Sequence, residues 1–274
     1  MTFSFEVFPP KEDKPIEPLV EVIRKLSVFE PDFISCTYGS GGTNKGRSLE
    51  ICEAIVKSAN EAMTHFTCIG NTKQGMTTEL GDFLKLGIDN VLALRGDLPP
   101  GWTGTKGDFD YAVQLIKLIK EKFPEVCIAA ACYPEMHIDA PNFDADIAYL
   151  KMKQESGAQV LMAQLCHDAD AYKKFQDKLE KATIDLPVIF GLMPVLSKES
   201  ILKMTLMTGC SIPRDLSVLI GKYGDKPEEF KKAGKEFTVN QLFKYISAGI
   251  DGLHIYVLNK YDDVADILEM ANIR

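Results

Sequence analysis

Short apolar runs alternate along the chain with longer stretches in which charged residues recur at helical spacing. Several of the apolar runs contain almost no polar residue, which is typical of parallel strands covered on both faces. The runs that predict strands are eight: 3–8, 32–37, 63–69, 90–95, 126–133, 160–165, 188–193 and 252–258. The stretches that predict helices after these strands are 15–28, 46–58, 77–87, 109–122, 143–156, 169–182, 198–207 and 261–271.

Eight strand–helix units in a chain of 274 residues predict an α/β protein with a (β/α)₈ TIM-barrel fold. A doubly wound sheet is the alternative, but it more often has five or six strands and a glycine-rich phosphate turn after its first strand. Here Phe8-Pro9-Pro10 follows the first strand, and this sequence cannot form that turn. The barrel is therefore favoured over the doubly wound sheet.

One segment, 209–250, does not fit the plain repeat and separates the seventh helix from the last strand. Pro213 predicts a helix start, since proline is well accommodated in a first turn. Two further helices are predicted over 228–236 and 238–248. Because no glycine-, serine- or proline-rich linker occurs, we interpret this segment as an addition to one domain over residues 1–274.

The overall charge argues against two classes of partner. The formal net charge is −8, and no run of lysine and arginine is interleaved with aromatic residues, so a nucleic-acid surface is not expected. No apolar stretch is long enough to span a bilayer, and the first residues lack the pattern of a signal peptide. We therefore expect a cytoplasmic protein that binds neither nucleic acid nor membrane.

The seven cysteines are scattered, and no C-x-x-C pair occurs. Reduced, buried thiols explain them better than a zinc site, which needs close pairs. Cys166-His167-Asp168 resembles a ligand cluster, but neighbouring residues on a strand point to opposite faces. No metal site is predicted.

A carboxylate interrupts the first apolar run, in the stretch FSFEVFPP over residues 3–10. Because side chains alternate along a strand, the apolar residues at 3, 5 and 7 suit the helix-facing side, and Ser4, Glu6 and Phe8 are predicted to point into the barrel. A buried, unpaired charge is unfavourable by several kcal/mol or so. We interpret Glu6 as a functional residue at the open end of the barrel; a solvated residue at a frayed terminus is the alternative.

Unusual polar residues also follow most of the other predicted strands. They are Thr37 and Tyr38, His65 and Thr67, Arg95 and Asp97, Tyr133 and His137, Gln164, and Tyr256, Asn259 and Lys260. In a barrel the carboxyl ends of all strands surround one mouth, so these groups are expected to converge there. The glycine-rich loop over 39–42 has amides suited to an anion. A buried amide such as Gln164 needs partners, which a ligand would supply.

Taken together, several stretches resemble the methylenetetrahydrofolate reductase family. They occur in the family's order and spacing: FSFEVFPP, CTYGSGG, HFTC, LALRGDLPPG, YPEMH and the strand with Gln164. The match continues through LHIYVLNK and covers nearly the whole chain, and ALRGDLPPG combined with FEVFPP is highly specific. The resemblance is to the short bacterial type, a catalytic barrel of one-carbon metabolism without the regulatory C-terminal domain of eukaryotic members.

The resemblance implies that FAD binds at the barrel mouth. Lysine and histidine suit its pyrophosphate, and its ring needs partly apolar walls with a few directed donors. The positions that match flavin contacts of the family are Thr37, Tyr38, His65, Leu94, Arg95, Gly96, Asp97, Ala112, Tyr133, His137, Asp146 and Lys153.

The resemblance also implies reduction of 5,10-methylenetetrahydrofolate to 5-methyltetrahydrofolate. In this reaction a reduced nicotinamide passes hydride to FAD and leaves, and the folate then takes its place. Opening the folate ring needs a proton, and Glu6 matches the family's general acid. Asp97 matches a second catalytic residue, and its carboxylate is expected to raise the pKa of Glu6. The substrate-binding positions are Glu6, Asp97, Gln164, Met204, Tyr256 and Lys260.

Three departures from the family pattern concern the folate and nicotinamide. Leu165-Cys166-His167 stands where aromatic residues are usual, Met204 stands near a phenylalanine position, and Lys260 replaces an arginine. Lysine offers a point charge where arginine makes two hydrogen bonds to a carboxylate. The electron donor stays open between NADH, NADPH and a partner flavoprotein or iron–sulfur subunit, and a homo-oligomer is compatible with the sequence.

Two alternatives belong to other classes. One is a barrel enzyme without flavin, such as a pterin-binding methyltransferase or an aldolase, which would be colourless. The other is an accessory subunit without catalysis, in which Glu6→Gln would leave the activity of the complex unchanged.

Overall fold

The alternation of apolar strands and amphipathic helices produces a closed parallel barrel in a computed structural model. The structure describes residues 1–11, 13–37, 45–99 and 101–273. Each strand pairs in parallel with the next, and β8 closes the barrel against β1. The strands β1 to β8 are Thr2–Val7, Phe33–Cys36, Ala62–Thr67, Asn90–Leu94, Cys127–Cys132, Val160–Ala163, Val188–Leu192 and Gly252–Tyr256. The predicted (β/α)₈ fold is confirmed, and a doubly wound sheet is excluded.

Helices cover the outside of the barrel. In the described ranges, α1 to α10 are Glu17–Leu26, Lys45–Lys57, Lys73–Lys85, Ala112–Lys122, Phe143–Glu155, Ala169–Lys181, Lys198–Thr208, Arg214–Tyr223, Pro227–Ser247 and Tyr261–Met270. Helix α3 begins before the predicted residue 77 because Thr72 Oγ1 accepts a hydrogen bond from the Gly75 backbone NH at 3.1 Å. Side-chain acceptors at Asn142 and Ser197 start α5 and α7 in the same way. None of the helices in this part of the chain has the length and apolar character that crossing a membrane requires.

The two faces of β1 divide largely as its alternation predicts. Phe3, Phe5 and Val7 belong to the apolar core between the strands and the helices. Ser4 and Glu6 are buried on the opposite, inward face. Phe8 was expected to point inward as well, but it lies beyond the end of the strand and is 37% exposed. Alternation no longer applies once the strand ends, which explains this difference.

A layer of apolar side chains fills the inside of the barrel. Six buried residues from different strands form it: Phe33, Met63, Leu92, Ala129, Met162 and Ile189. The next inward position on each strand lies two residues further on, toward the carboxyl end. Those positions include Ser35 and His65, so the apolar layer forms the floor beneath the polar mouth.

The segment before β8 differs from its prediction. Residues 227–247 form one continuous helix, α9, where two helices over 228–236 and 238–248 were predicted. Gly234, a weak helix former, is kept inside the helix because the Val195 carbonyl occupies the space where its Cβ would lie. Thr238 Oγ1 then donates to the Gly234 carbonyl at 2.8 Å and accepts from the Val195 NH at 3.0 Å. Tertiary contact, which local sequence does not report, joins the two predicted pieces.

This contact predicts that Gly234→Ala lowers the free energy of unfolding by about 1–3 kcal/mol, since overpacking forces the backbones apart. Gly81→Ala is the matched control: Gly81 lies in α3 with open space where a Cβ would stand. That variant should gain about 0.5–1 kcal/mol from its better helix propensity. Urea unfolding measures both, and equal stabilisation of the two variants would contradict the close packing of α9 on Val195.

Candidate active site

Glu6 lies inside the mouth of the barrel with only 6% of its surface exposed. Its Oε1 accepts a hydrogen bond from Thr37 Oγ1 at 2.5 Å. Its Oε2 lies 3.4 Å from His254 Nε2 and 3.7 Å from His65 Nε2. Strands β1, β3 and β8 and the residue after β2 therefore meet at one carboxyl group. The frayed, solvated terminus is excluded for this residue.

Behind Glu6, His254 joins two strands through its imidazole. Its Nδ1 lies 2.7 Å from Ser4 Oγ on β1, and its Nε2 lies 3.3 Å from Ser35 Oγ on β2. All three side chains are buried. Sequence reasoning missed His254 as a functional residue. The signal was available, since His254 is two residues before Tyr256 on the same face of β8.

The pKa of Glu6 differs from the sequence-based expectation. Burial is the largest single influence on this pKa and raises it. Three neighbours lower it and together outweigh burial: His65 through its charge, His254 through its hydrogen bond and charge, and Thr37 through its hydrogen bond. The pKa therefore lies below its ordinary value, and the predicted raised pKa was wrong. The reason is that alternation predicts burial but does not reveal which neighbours another strand contributes.

Asp97 was expected beside Glu6, but the largest influences on the pKa of that carboxyl are burial, His65, His254 and Thr37. Asp97 lies exposed on the loop after β4. Near this loop, burial is the largest cause that raises the pKa of Tyr133 to about 12. The charge of Asp97 also raises this pKa, and the charge of Arg95 lowers it. The Arg95 guanidinium also lies 3.6 Å from Asp139. The prediction that Asp97 faces the folate together with Glu6 stays a prediction.

Gly96, next to Asp97, can only be glycine in this conformation. Its φ is +90°, a left-handed backbone region that side chains rarely adopt. A Cβ at this position would overlap the Thr67 side chain and come within 2.8 Å of Ile69. The Arg95 side chain folds back to donate to the Gly96 carbonyl at 3.0 Å. The loop after β4 is thus held closely against β3.

A second polar group lies where β5 meets α5. The Asp146 carboxylate, buried in the first turn of α5, accepts the His137 backbone NH at 2.9 Å. The His137 ring packs edge-on against Tyr133, with centroids 4.5 Å apart. Lys153, two turns after Asp146, donates to the Ala131 carbonyl at 2.7 Å, and burial lowers its pKa against the opposing effects of Cys132 and Asp146. The structure thus brings together four residues predicted separately.

Two further predicted residues lie at the ends of β8 and β6. The Tyr256 hydroxyl donates to the Ala163 carbonyl at 3.3 Å, and burial, with the charge of Glu6, raises the tyrosine pKa. Gln164 Oε1 accepts from the Leu165 NH at 2.7 Å. Among the described residues the Gln164 side-chain nitrogen has no hydrogen-bond partner, so its NH groups are available to a ligand.

The remaining predicted residues lie around the rim. Met204 on α7 packs against a second apolar cluster that includes Leu165 and Met193. Lys260 is exposed at the start of α10, and Ala112 is the first residue of α4. Leu94 is half-buried at the end of β4. Tyr38 and the glycines at 39–42 lie outside the described residues.

The end of β8 is tied directly to the end of β1. Asn259 accepts the Phe8 NH through Oδ1 at 3.1 Å and donates to the Phe8 carbonyl through Nδ2 at 2.9 Å. Leu258 and Asn259 both have left-handed backbones, with φ of +52° and +56°. This clamp holds the strand that carries Glu6 against the strand that carries His254.

The cluster Cys166-His167-Asp168 has structural contacts. Asp168 caps α6 by accepting the Asp170 NH at 2.9 Å. Burial lowers the pKa of His167 to about 4. Within the described ranges, no set of three or more histidine, cysteine, aspartate or glutamate side chains is placed to hold a metal ion.

The protein is a closed parallel barrel, and ionisable and amide side chains lie at the carboxyl ends of its strands. These features define the class of (β/α)₈-barrel proteins with a site at the barrel mouth. The family model described as methylenetetrahydrofolate reductase matches residues 1–272. The chain belongs to this family.

Relatives from plants and bacteria agree. The 5,10-methylenetetrahydrofolate reductase of Escherichia coli is 33% identical, and the match covers 94% of this chain and 86% of that protein. Methylenetetrahydrofolate reductase (NADH) 1 of Arabidopsis thaliana is also 33% identical, with 94% of this chain but 46% of that protein covered. The chain thus spans about half the length of the plant relatives and most of the length of the bacterial one.

Solved structures share the fold. A Clostridium thermocellum protein described as binding two copies of 5-methyl-5,6,7,8-tetrahydrofolic acid superposes with a TM-score of 0.68 at 16% identity, covering 100% of this chain and 95% of that one. Dihydropteroate synthase from Thermus thermophilus gives 0.53 at 14% identity, covering 98% and 93%. At such identities the likeness concerns the fold alone.

Proposed function

We propose that this chain is a flavin-dependent enzyme that reduces 5,10-methylenetetrahydrofolate to 5-methyltetrahydrofolate, with residues 1–274 forming one catalytic domain. The observation that carries the proposal is the buried Glu6 carboxyl inside the mouth, contacted by Thr37, His65 and His254, in a member of this reductase family. A buried carboxyl beside groups that exchange hydrogen bonds is suited to hold and release a proton.

The residues at the mouth fit FAD. His65 Nε2 is buried and has no hydrogen-bond partner within the described part of the chain, so it is free to meet a ligand. Lys153 and His137 on the β5–α5 side suit the cofactor's phosphates, and Tyr133 supplies an aromatic wall. Bound FAD would supply hydride transfer between the nicotinamide and the folate. Thr37, Leu94 to Asp97, Ala112 and Asp146 complete the proposed flavin contacts.

Glu6 is the proposed source of the proton for folate ring opening. Its pKa is lowered partly by the positive charge of His65. Burial is the main cause that lowers the pKa of His65, and the charge of Glu6 opposes this shift. When the charge on His65 is absent, burial favours the protonated Glu6. The balance between burial and these neighbouring groups therefore sets how readily Glu6 holds the proton that it would pass to the substrate.

The folate and the donor would meet the remaining residues of the mouth. The free NH groups of Gln164 are directed donors for the pterin, and Met204, Tyr256, Asp97 and Lys260 are the other proposed substrate contacts. NADH is the favoured donor, because the names of plant relatives specify it. NADPH and a protein donor are the other outcomes of the test below.

The test starts from the purified protein. It should be yellow, with flavin absorbance, and anaerobic stopped-flow mixing with NADH should bleach the flavin. Adding 5,10-methylenetetrahydrofolate to the reduced protein should restore the oxidised spectrum. A colourless protein that also fails to bind added FAD would contradict the proposal and favour a barrel enzyme without flavin. Bleaching by neither NADH nor NADPH would point to a protein donor.

A further inference from the structure

The carboxyl group of Glu6 faces a chain of hydrogen-bonding groups that extends away from the mouth. His254 Nε2 lies 3.4 Å from Glu6 Oε2, and His254 Nδ1 lies 2.7 Å from Ser4 Oγ. Ser4 and His254 are at most 1% exposed, so no solvent takes their place as partner. The flavin contacts proposed above do not include either residue.

Ser4 has two acceptors for its single hydroxyl hydrogen. One is His254 Nδ1 at 2.7 Å, and the other is the Leu253 carbonyl at 3.3 Å. If Ser4 donates to Nδ1, the imidazole carries its hydrogen on Nε2, which faces Glu6. If Ser4 donates to the carbonyl, its oxygen accepts from a hydrogen on Nδ1, and Nε2 becomes an acceptor.

These two arrangements match the two states of Glu6. An ionised carboxylate accepts from Nε2–H, while a protonated carboxyl donates from Oε2 to the bare Nε2. The hydrogen of the imidazole lies on Nε2 in the first arrangement and on Nδ1 in the second. The two states differ by the single proton that Glu6 gives up, and Glu6 Oε2 and both imidazole nitrogens of His254 keep a hydrogen-bond partner in each.

We infer that Ser4 and His254 are positioning residues that stabilise Glu6 in both its ionised and its protonated form. The inference rests on the proposed role of Glu6 as the proton donor. The other titratable groups that face Glu6 among the described residues are His65 on β3, Tyr256 on β8 and Cys36 on β2. None of these lies in a chain with a second acceptor such as the one at Ser4.

Two substitutions should shift the pH profile in opposite directions. Ser4→Ala leaves Nδ1–H without an acceptor but keeps the strong bond from Nε2–H to the carboxylate, so ionised Glu6 is favoured and the apparent pKa falls. His254→Phe removes a hydrogen bond that lowers the pKa of Glu6, so the apparent pKa rises. A purely structural role would not produce opposite shifts.

The experiment measures reoxidation of the reduced flavin by 5,10-methylenetetrahydrofolate across a range of pH. Ser4→Ala should slow this step about tenfold at neutral pH, the effect of leaving one buried donor unpaired. Flavin reduction should be unchanged. Ser48→Ala is the matched control, since its hydroxyl is also buried but has no hydrogen-bond partner among the described residues. It should keep the wild-type rate and profile.

A second readout does not depend on turnover. The chain has four histidines, so ¹⁵N labelling of histidine gives few imidazole signals, and the His254→Phe spectrum assigns His254 by its absence. As Glu6 is protonated, the hydrogen of His254 should move from Nε2 to Nδ1, and in Ser4→Ala it should stay on Nε2.

The outcomes separate this inference from the proposed function. If Glu6→Gln abolishes folate reduction while Ser4→Ala keeps the wild-type rate, pH profile and tautomer change, the inference is overturned and the function stands. If Glu6→Gln itself retains full folate reduction, the proposed role of Glu6 fails first. Should His254→Phe not fold, the Ser4→Ala profile and spectrum still decide.

Discussion

The Glu6→Gln variant is expected to lose folate reduction by about 10²–10⁴-fold, the usual contribution of a positioned proton donor. Glutamine keeps the size of the side chain and can still accept from Thr37, but it carries no transferable proton. Reduction of the flavin by the electron donor should proceed at the wild-type rate, since that step requires no proton from Glu6. Stopped-flow measurement of the two half-reactions separates these effects.

A control must distinguish losing the acid from losing a buried charge. Asp263 on α10 is 9% exposed, close to the 6% of Glu6, and its carboxylate pairs with Lys231 and Lys235 at 2.7 and 2.8 Å. Asp263→Asn should therefore reduce stability and leave both half-reactions intact. A Glu6→Gln enzyme that reduces folate as fast as the Asp263→Asn control would remove Glu6 from the mechanism.

Gly96→Ala is expected to lower the free energy of unfolding by about 2–4 kcal/mol, combining backbone strain with overpacking. The strain comes from the φ of +90°, and the overpacking comes from Thr67 and Ile69, whose side chains lie where the Cβ would be. Relief of this overlap would push the loop after β4 away from β3. Since that loop carries Arg95 and Asp97, we also expect the purified variant to hold much less flavin.

Gly101 provides the matched control within the same loop. Its φ is +82°, so alanine suffers a similar backbone strain, but nothing lies within 4 Å of the added Cβ. Gly101→Ala should therefore lose about 1 kcal/mol and keep its flavin. Thermal or urea unfolding and the ratio of flavin to protein absorbance measure both variants. Equal losses for the two would show that backbone strain alone, and not packing against β3, explains the requirement for glycine at 96.

Much of the fold follows from local sequence. Each strand of a parallel barrel is covered on both faces, so the strands appear as short apolar runs, and a helix must intervene before the next parallel strand. That is why the eight strands and the helices between them were predicted near their observed positions. Helix ends were less well predicted where a cap decides them, as at Thr72, because one side-chain hydrogen bond moves the start by a turn.

Only part of the candidate site was predicted, because alternation and local motifs do not report contacts between distant strands. Alternation placed Glu6 inside the barrel, and the family resemblance named the groups of the β5–α5 region. It did not place His254 behind Glu6. That position depends on the register and curvature of a sheet that closes between residues about 250 positions apart in the chain.

By itself, the sequence determined the strand and helix order, the burial of Glu6 and the family to which the chain belongs, because alternation, apolar runs and local motifs are properties of neighbouring residues. Only the tertiary structure decided the continuity of α9, the direction of the Glu6 pKa shift and the Ser4–His254 chain behind it. Each of these depends on contacts between residues distant in sequence, and the free energy of a buried charge is set by the groups that surround it in space.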